Sequence, residues 1–423
     1  MKRLIQTINQ PVQARIVIPG SKSITNRALL MAALAKGVSE ISGMLMSDDT
    51  DALVQALREL GVTIELDIVA QKCVVKGCEG HFPKKEAAIW CDNAGTVARF
   101  LLAACASSPG KYAFDGSARM RERPIELLLK TLCRQGASVI PKTARAMPFT
   151  IEGRNGLKGG EIDIDGSESG QFISALLMAA PFAEKSVLIK TRNVVSRSFV
   201  EMTCVLMAEF GVLVRRMPDR FSIPAPQCYL AREYVVEPDF STASYFFAAA
   251  VVTGGEVTIQ PTTISSSKQG DVKFLAILQK MGCLIDENEM GLTVKCRGEL
   301  RGVSVDMRDC SDTFMTLAAI APFAKTPTTI TNIGHTRLQE SNRISVMCEE
   351  LNKLNVKAEE GPDWIRIHPS EPKGGIVDAH HDHRIAMSFS IMGLKVPGIE
   401  IDGAECVSKT CPEFFELWDE LYG

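Results

Sequence analysis

The sequence predicts an α/β protein of two similar lobes, each made of three units of the form βαβαββ. One repeated element is an amphipathic helix that ends in glycine and is followed by a β-branched stretch. It recurs at intervals of 71 to 75 residues, around Gly61, Gly136, Gly211, Gly282 and Asn355. Asparagine can replace glycine in the left-handed conformation that ends a helix, so Asn355 fits the series. The near-constant period indicates internal repeats rather than elements of merely regular length.

A second helix, almost wholly apolar and rich in small residues, alternates with the first. Each copy is introduced by polar residues, and the six copies begin at Ser21, Asn93, Ser169, Ser241, Ser311 and His381. A helix that is apolar on all sides belongs in an interior, so we expect these helices to pack closely together. Alternating segments between the helices predict strands at residues 161–166, 186–191, 256–261 and 328–333.

The two ends of the chain are predicted to belong to the same lobe. A sixth copy of the amphipathic helix stops at Gly423 with no strand after it, and we expect the opening residues MKRLIQTI to supply that strand. The predicted lobes are residues 21–237 and residues 1–20 plus 238–423, with a hinge where a proline interrupts a strand. Helix N-termini from both lobes would make a shared cleft attractive to anions.

Composition excludes several classes of protein. With 423 residues, 46% apolar and 23% charged, the chain is predicted to be globular with more than one domain. A net charge of −3 gives no general attraction to nucleic acid or to an anionic membrane. The opening residues lack the apolar core of a signal peptide. Thirteen cysteines without CxxC pairs are typical of reduced thiols, so we expect a cytoplasmic protein with no nucleic-acid or membrane partner.

The stretch Pro19–Leu30, PGSKSITNRALL, is the first candidate binding site. A predicted strand ends at Pro19, and Lys22 and Ser23 follow at the start of a helix that carries Arg27 one turn later. The free N–H groups of a helix start favour anions, and Lys22 and Arg27 add two cations. An ordinary capped helix with surface cations explains the same string. The glycine spacing of a Walker loop is absent.

Polar residues at other helix starts of the first lobe are further candidates. Gly95, in DNAGT, would let a ligand approach the backbone closely, whereas Asn93 beside it fits a plain helix cap as well. RERP places Arg123 before a helix predicted to begin at Pro124, although a solvated arginine run fits too. Two strings carry serine hydroxyls: one contains Ser169 and Gln171, and the other contains Ser196 and Arg197. These hydroxyls could bind phosphate oxygens, or they could simply cap helices.

The second lobe adds carboxylates to the candidate set. Asp312 begins an apolar helix, where the helix dipole favours a charged carboxylate and an ordinary cap is the alternative. Glu340 and Arg343 are spaced to share one helical face. That pair is either a proton-transfer residue beside a cation or an intrahelical salt bridge.

Two further strings of the second lobe carry cations. In HHDHR, His381 and His383 are predicted to share a strand face, which suggests a metal site. No further ligand set stands at a suitable spacing, so we expect no metal and favour anion binding by Arg384. Lys409, in VSKTCP, directs another cation at the start of the last helix.

Together these strings identify a family resemblance. GSKSITNRALL, DNAGT, RERP, SGQF, SDTFMT, RLQESNRI, DHR and SKTCP, in this order and across essentially the whole length, resemble the 5-enolpyruvylshikimate-3-phosphate synthase family. The resemblance implies the enolpyruvyl transferase fold, with two inside-out α/β domains and an active site in the interdomain cleft. It implies transfer of the enolpyruvyl group of phosphoenolpyruvate to the 5-hydroxyl of shikimate 3-phosphate, releasing phosphate, in the shikimate pathway to chorismate and the aromatic amino acids. It also implies a monomer without a metal or organic cofactor.

The resemblance implies roles for individual residues. Those expected to bind shikimate 3-phosphate are Lys22, Ser23, Arg27, Ser169, Gln171, Ser196, Arg197 and Asp312. Those expected to bind phosphoenolpyruvate are Lys22, Asn93, Gly95, Arg123, Gln171, Arg343, Arg384 and Lys409. Glu340 would protonate the methylene carbon of phosphoenolpyruvate. The full catalytic set is Lys22, Asp312, Glu340 and Lys409.

Several positions depart from the family pattern. Gln339 stands where many members have lysine, which removes a cation near phosphoenolpyruvate, and Lys268 is a possible replacement. Phe100 stands where some members have proline, Gly170 where serine is frequent, and Phe199 where tyrosine is common. Gly95 matches the glyphosate-sensitive pattern, because a side chain there would crowd the inhibitor, so glyphosate is an expected inhibitor.

Two other functions stay open at this point. An enolpyruvyl transferase acting on UDP-N-acetylglucosamine shares the fold, but that family opens its first helix with a Lys-Asn pair, whereas here Ser23 follows Lys22. A non-catalytic scaffold that binds phosphorylated metabolites would need no acid. The joint presence of Lys22, Asp312, Glu340 and Lys409 argues against it.

Overall fold

The backbone divides into two units, which are described separately below. A computed structural model describes the whole chain, Met1–Gly423. The first unit is Gly20–Val236, and the second unit joins Met1–Pro19 to Glu237–Gly423. The chain therefore leaves and re-enters the second unit, and the first unit is an insertion within it.

The strands are short, three to six residues each. In chain order they are β1 (Lys2–Leu4), β2 (Gln13–Val17), β3 (Val38–Ser42), β4 (Thr63–Asp67), β5 (Lys72–Lys76), β6 (Glu86–Trp90), β7 (Gly110–Asp115), β8 (Ser138–Ile140), β9 (Phe149–Gly153), β10 (Gly160–Asp165), β11 (Val187–Arg192), β12 (Arg215–Met217), β13 (Arg220–Ile223), β14 (Glu233–Val235), β15 (Glu256–Gln260), β16 (Leu284–Asn288), β17 (Gly291–Lys295), β18 (Ser304–Asp306), β19 (Thr328–Thr331), β20 (Ala358–Gly361), β21 (Trp364–Ile367), β22 (Gly375–Asp378) and β23 (Ile399–Asp402).

Thirteen α-helices and several 3₁₀ turns connect the strands. The α-helices are α1 (Lys22–Leu34), α2 (Asp48–Glu59), α3 (Gly95–Ala106), α4 (Ala118–Glu122), α5 (Glu126–Arg134), α6 (Gly170–Ala179), α7 (Arg197–Glu209), α8 (Phe240–Thr253), α9 (Lys273–Met281), α10 (Phe314–Ile320), α11 (Arg343–Lys353), α12 (His383–Gly393) and α13 (Phe414–Asp419). The helix predicted to begin at Pro124 begins two residues later, after the short helix α4.

Five four-stranded sheets share one plan, in which a parallel pair is extended by an antiparallel hairpin. In the first unit the strand orders are β14-β3-β5-β4, β6-β7-β9-β8 and β10-β11-β13-β12. In the second unit they are β2-β15-β17-β16 and β18-β19-β21-β20. The recurrence of one strand order is the structural form of the sequence repeat.

The sixth sheet has three strands and is closed by the chain's first strand. β22 and β23 form the parallel pair, and β1 lies antiparallel to β23, with Lys2 opposite Asp402 and Leu4 opposite Glu400. β1 thus takes the place of the strand that is missing after the last helix. The prediction that the opening residues supply this strand is confirmed.

The interior of each unit is made of the small-residue helices. Every residue of α3 and of α12 is buried, as is Ile24–Leu34 of α1. α3 packs against α6 and α1, and in the second unit α10 packs against α8 and α12. The strands lie outside these helices and alternate between buried and exposed residues. Helices inside and sheets outside are the inside-out arrangement that the resemblance implied.

The amphipathic helices end as predicted. Gly61, Gly136, Gly211 and Gly282 have φ values between +84° and +110°, and Asn355 has φ +64°. This conformation is left-handed, which glycine adopts freely and asparagine tolerates. The chain can therefore turn sharply from each helix into the next strand.

No helix of the structure is both long enough and apolar enough to cross a lipid bilayer.

Candidate active site

The first turn of α1 presents a lysine that is held by a carboxylate. α1 begins at Lys22, after Ser21 in extended conformation. The Lys22 Nζ lies 3.3 Å from Oδ2 of Asp49, a nearly buried side chain in the first turn of α2. Asp49 was not among the predicted site residues, because an acidic residue at a helix start is what the helix dipole alone favours. The carboxylate fixes the lysine at the start of α1.

Arg27, one turn along α1, is a buried cation whose hydrogen-bond partners are all uncharged. Only 1% of its surface is exposed. Its Nε donates to Oγ1 of Thr203 at 2.7 Å, and its two Nη atoms donate to the carbonyl oxygens of Ser23 and Phe199 at 2.8 and 3.2 Å. Burial lowers the pKa of Arg27 to about 9, so the guanidinium stays charged at neutral pH. A buried charge without a counter-charge favours the binding of an anion.

Two guanidinium groups and an amide converge on Gly95, the first residue of α3. A Cβ on Gly95 would lie 2.3 Å from Nη1 of Arg99, 2.7 Å from Nη2 of Arg123 and 3.1 Å from Oε1 of Gln171. Arg99 Nη1 also donates to that amide oxygen at 3.1 Å. A residue with a side chain would displace these groups, so glycine allows them to converge here. Sequence analysis missed Arg99, whose only signal is a lone arginine in an otherwise apolar helix.

Arg123 is fixed by the loop that precedes α3. Its Nη1 donates to the backbone oxygen of Asn93 at 2.8 Å and lies 3.3 Å from the Asn93 Oδ1. Arg123 itself is buried. Asn93 therefore orients a cation of the cluster around Gly95.

The start of α6 lies against the loop that carries Ser196. The Ser169 Oγ accepts a hydrogen bond from the backbone N–H of Gln171 at 3.2 Å and so caps α6. A Cβ on Gly170 would lie 2.7 Å from the backbone oxygen of Val195. Glycine at this position thus permits close approach of the two serine-containing strings. Ser196 adopts φ +50°, in the left-handed region.

Arg197 is bound to other parts of its own repeat. It is partly exposed, and its Nη2 donates to Oε1 of Glu201 at 3.0 Å. Its guanidinium also donates to the carbonyl oxygens of Met217 and Pro218 and lies over the ring of Phe221. The structure does not bring Arg197 to the cluster around Gly95.

Arg343, in the second unit, is surrounded by carboxylates. Its Nε donates to Oδ2 of Asp382 at 2.7 Å, its Nη2 lies 2.9 Å from Oε2 of Glu340, and its Nη1 lies 3.5 Å from Oδ1 of Asp312. Nη1 also donates to Oε1 of Gln339. Burial by itself lowers the pKa of Arg343, but the carboxylates outweigh it and raise the pKa above the usual range.

Arg384 is the second cation of this cluster. Its Nη2 donates to Oδ2 of Asp312 at 2.8 Å, and its Nη1 donates to the hydroxyl of Tyr245 at 3.3 Å. Burial lowers the pKa of Arg384, but Asp312 and other negative groups raise it well above normal. Burial raises the pKa of Tyr245 to about 12, so its hydroxyl stays protonated. Asp312 therefore contacts two guanidinium groups.

Glu340 lies before a helix rather than within one. α11 begins at Arg343, and the side chain of Asn342 caps it by accepting from the backbone N–H of Ser345. The prediction that Glu340 and Arg343 share one helical face is wrong, because the chain turns at this cap. Their side chains meet nevertheless, since the turn brings Glu340 alongside the first residue of the helix.

Asp382 ties the second cluster together. It is completely buried, and it accepts from Arg343, from the Ser341 hydroxyl at 2.9 Å and from the backbone N–H of Arg384 at 3.0 Å. One carboxylate thus caps α12 and holds the guanidinium of Arg343 in place. Sequence analysis noted the string DHR but gave its aspartate no role.

The histidines of HHDHR do not share a strand face, so that prediction is wrong. His380 and His381 have φ values of +49° and +53° in a tight turn, and His383 begins α12. Asp382, which lies between His381 and His383, caps α12, so the two histidines lie on either side of a helix start. The structure shows no group of three or more His, Cys, Asp or Glu side chains arranged to hold a metal ion.

A neutral histidine stands beside Asp312. The His335 Nε2 lies 2.9 Å from the hydroxyl of Ser311, which precedes Asp312. Burial lowers the pKa of His335 to about 4, so the ring is uncharged at neutral pH. Sequence analysis did not single it out, because a lone histidine in a loop carries no distinctive pattern.

Two predicted lysines, Lys409 and Lys268, lie in the second unit. Lys409 is buried at the end of the 3₁₀ turn Ala404–Lys409, which packs against α12. Lys268 is the substitute suggested for the lysine absent at position 339. Its Nζ lies 3.7 Å from Oε2 of Glu237.

Asp271 is a buried carboxyl that no sequence feature indicated. It is 2% exposed and lies in the 3₁₀ turn Gly270–Val272, which packs against the turn that carries Asp312. The Ser241 hydroxyl donates to its Oδ2 at 2.5 Å, and its Oδ1 has no hydrogen-bond partner. Burial, and then the charge of Asp312, raise the pKa of Asp271 to about 7.

Comparison with solved structures defines the class of protein. The chain superposes with TM-score 0.79 on the enolpyruvyl transferase NikO from Streptomyces tendae, at 17% identity over 99% of this chain and 97% of that one. An EPSP synthase structure from Acinetobacter baumannii gives TM-score 0.81 at 27% identity, covering 99% of this chain and 98% of that one. The fold is therefore that of the enolpyruvyl transferases, as predicted.

Sequence comparison narrows the class to one family. The family model for EPSP synthase (3-phosphoshikimate 1-carboxyvinyltransferase) matches residues 6–418. A protein of that enzyme name from Nostoc punctiforme is 43% identical over 420 residues, which cover 99% of this chain and 98% of the relative. One from Methanoregula boonei is 42% identical and covers 97% of both chains. The chain belongs to the EPSP synthase family, and the predicted family and enzyme class are confirmed.

The raised pKa of Asp271 predicts a pH-dependent contribution to stability. Because the folded chain favours its protonated form, that contribution is full below about pH 4, the usual aspartate value, and is lost as pH rises through about 7. We expect Asp271→Asn, which cannot ionise, to reduce the fall in melting temperature between about pH 6 and about pH 8.5. The exposed Asp286→Asn is the matched control. An unchanged pH dependence in Asp271→Asn would contradict the prediction.

Proposed function

We propose that the chain transfers the enolpyruvyl group of phosphoenolpyruvate to the 5-hydroxyl of shikimate 3-phosphate through the residues of the two clusters described above. The reaction is that of its family. The assignment of residues rests on one observation: the buried guanidinium of Arg27 has only uncharged hydrogen-bond partners. Its positive charge is therefore left for an anionic substrate. An enzyme acting on UDP-N-acetylglucosamine is not favoured, because the family match covers nearly the whole chain.

Shikimate 3-phosphate is proposed to bind at the helix starts of the first unit. Lys22 and Arg27 supply positive charge, and Ser23 supplies a hydroxyl, at the N-terminus of α1, where free N–H groups add to the attraction. Hydroxyl and amide groups for the phosphate and the ring come from Ser169, Gln171 and Ser196, and Arg197 adds a guanidinium. Arg197 would exchange some of its present contacts with Glu201 and nearby carbonyl oxygens for the phosphate.

Phosphoenolpyruvate is proposed to bind to cations of both units. In the first unit, Gly95 leaves room beside Arg123, Asn93 orients that guanidinium, and Gln171 reaches the same point. In the second unit, Arg343, Arg384 and Lys409 supply three more cations. Several fixed positive charges stabilise the phosphate as it becomes the leaving group.

The proton transfers are assigned to the second unit, where the carboxylates lie. Glu340 gives a proton to the methylene carbon of phosphoenolpyruvate, which makes the adjacent carbon electron-poor. The 5-hydroxyl attacks that carbon and loses its proton to Asp312, giving a tetrahedral adduct. Glu340, now a carboxylate, takes a proton back from the methyl group as phosphate departs, which restores the double bond. The proton held by Asp312 passes to the departing phosphate, so both carboxyl groups return to their starting states.

The pairing of Glu340 with Arg343 bears on how the acid is loaded. At 2.9 Å the guanidinium favours the charged carboxylate, which cannot donate a proton. A phosphate or carboxylate of the substrate would compete for Arg343 and weaken this pair. We propose that substrate binding thereby allows Glu340 to hold the proton that it donates.

The activity is tested by phosphate release. Shikimate 3-phosphate and phosphoenolpyruvate are supplied separately and together, and we expect release only when both are present. Phosphate release that requires phosphoenolpyruvate and UDP-N-acetylglucosamine instead would show that the chain is the transferase acting on UDP-N-acetylglucosamine. Binding of shikimate 3-phosphate without release in any mixture would favour a non-catalytic scaffold.

Glu340→Gln tests the proposed acid. The amide keeps the size of the side chain but cannot supply the proton, so we expect turnover to fall at least about 100-fold. We expect the dissociation constant for shikimate 3-phosphate to stay within about twofold. Glu360→Gln, which removes a carboxylate from the ion pair with Arg337, is the matched control and should retain turnover. Turnover of Glu340→Gln within about tenfold of wild type would reject the assignment.

Gly95→Ala tests the proposed phosphoenolpyruvate position. The added methyl would lie 2.3 Å from Nη1 of Arg99 and 2.7 Å from Nη2 of Arg123, so both groups must move. We expect KM for phosphoenolpyruvate to rise several-fold with little change for shikimate 3-phosphate. We also propose that glyphosate inhibits the wild-type chain in competition with phosphoenolpyruvate and that Gly95→Ala is less sensitive to it. Equal KM changes for both substrates would contradict the placement.

Assembly and location are part of the proposal. One chain carries all the proposed residues, so we propose a monomer that needs no partner subunit. We propose a cytoplasmic location, consistent with thirteen free cysteines and with substrates that are small phosphorylated metabolites. No nucleic-acid or membrane partner is proposed.

A further inference from the structure

The guanidinium of Arg27 lies over the ring of Phe100. The Arg27 Cζ is 5.0 Å from the centroid of the ring, a distance typical of a cation–π interaction. Both side chains are 1% exposed, so water does not screen the contact. Arg27 is on α1 and Phe100 is on α3, two interior helices of the first unit that pack against each other.

The remaining contacts of Arg27 leave part of its donor capacity unused. Three of its five N–H groups donate, to the Thr203 hydroxyl and to the carbonyl oxygens of Ser23 and Phe199. Those bonds fix the edge of the guanidinium, and the ring of Phe100 covers one of its faces. The other two N–H groups do not take part in these three hydrogen bonds.

A ring holds this cation in a different way from a carboxylate. A carboxylate such as Asp382 beside Arg343 neutralises the charge that it orients. An aromatic face orients a guanidinium and stabilises its charge through the quadrupole, yet it adds no negative charge. A second such contact lies at the preceding residue of α3, where Arg99 supplies the cation and lies 5.7 Å from the centroid of the Phe172 ring on α6.

We propose that Phe100 is a positioning residue: its ring fixes the plane of the Arg27 guanidinium in place of a carboxylate, so that Arg27 keeps its full charge for the anionic substrate. The proposal rests on the proposed function, because shikimate 3-phosphate is taken as that anion. The competing explanation is that Phe100 only fills space between α1 and α3, as any apolar residue of that size would.

Fluorination of the ring separates the two explanations. Fluorine withdraws electron density from the face of a phenyl ring, which weakens its attraction for a cation while nearly preserving its size. We would place monofluoro-, difluoro- and trifluorophenylalanine at position 100 by site-specific incorporation in the full-length chain. The dissociation constant for shikimate 3-phosphate and the KM of each substrate are then measured, together with the melting temperature.

We expect affinity for shikimate 3-phosphate to fall in steps with each fluorine, reaching about three- to tenfold with three, on the scale of a desolvated cation–π contact. KM for phosphoenolpyruvate should stay within about twofold. The same substitutions at Phe114 are the matched control. That ring is equally buried and stacks on Phe149 at 5.7 Å, and no cation lies over it.

Phe100→Leu provides a second comparison. It removes the ring but keeps an apolar side chain, so we expect weaker binding of shikimate 3-phosphate than in any fluorinated variant, with some loss of melting temperature. Unchanged affinity across the fluorinated series would overturn the proposal. So would a change equal to that at Phe114, or an equal rise in KM for both substrates.

Failure of the proposed function would be visible separately. If the wild-type chain did not bind shikimate 3-phosphate, inorganic phosphate would replace it as the probe, and the rise in melting temperature that it causes would be followed. A rise that shrinks with fluorination of Phe100, but not of Phe114, would support the role of the ring. A rise in melting temperature that is the same with and without fluorination of Phe100 would overturn the proposed role of the ring.

Discussion

The constraint on which this structure depends is the burial of positive charge inside bundles of apolar helices. Such a charge is costly unless something compensates for the lost water. The second unit compensates Arg343 and Arg384 with carboxylates, whereas the first unit gives Arg27 hydroxyl and carbonyl oxygens and an aromatic face. The proposed proton transfers use the carboxylates of the second unit. The proposed anion binding uses the positive charge of Arg27, whose hydrogen-bond partners are uncharged.

The fold could be predicted from the sequence because it is periodic. Two alternating helix types recur six times, and the glycine or asparagine that ends each of the first five amphipathic helices marks where the next strand begins. The same periodicity predicted that a strand was missing after the last helix and that the chain's opening residues would replace it, as β1 does beside β23. Errors were local: α5 starts later than Pro124, and Glu340 precedes its helix, since a cap at Asn342 is invisible to a spacing rule.

The site could be predicted only in part, because partners of a buried cation are distant in sequence. Lys22 and Arg27 stand out as charges at the start of an apolar helix, and Arg343 stands out by its spacing from Glu340. Their partners are distant, however: Asp382 lies 39 residues from Arg343, and Thr203 lies 176 residues from Arg27. Which of many acids and hydroxyls meets each cation is decided by packing between repeats. Asp271 shows the limit, since nothing in its neighbourhood of sequence distinguishes it from a surface aspartate.

The pairing of β1 with β23 has a consequence for the order in which the chain can fold during synthesis. The first unit is one continuous segment and can complete its core as soon as it leaves the ribosome. The second unit cannot, because Lys2 must wait for Asp402, which at 5–20 residues per second arrives roughly 20 to 80 s later. Between the synthesis of Val236 and that of Asp402, an interval of 166 residues, the nascent chain carries a finished domain flanked by an unpaired leading strand, and it is then most exposed to misassociation.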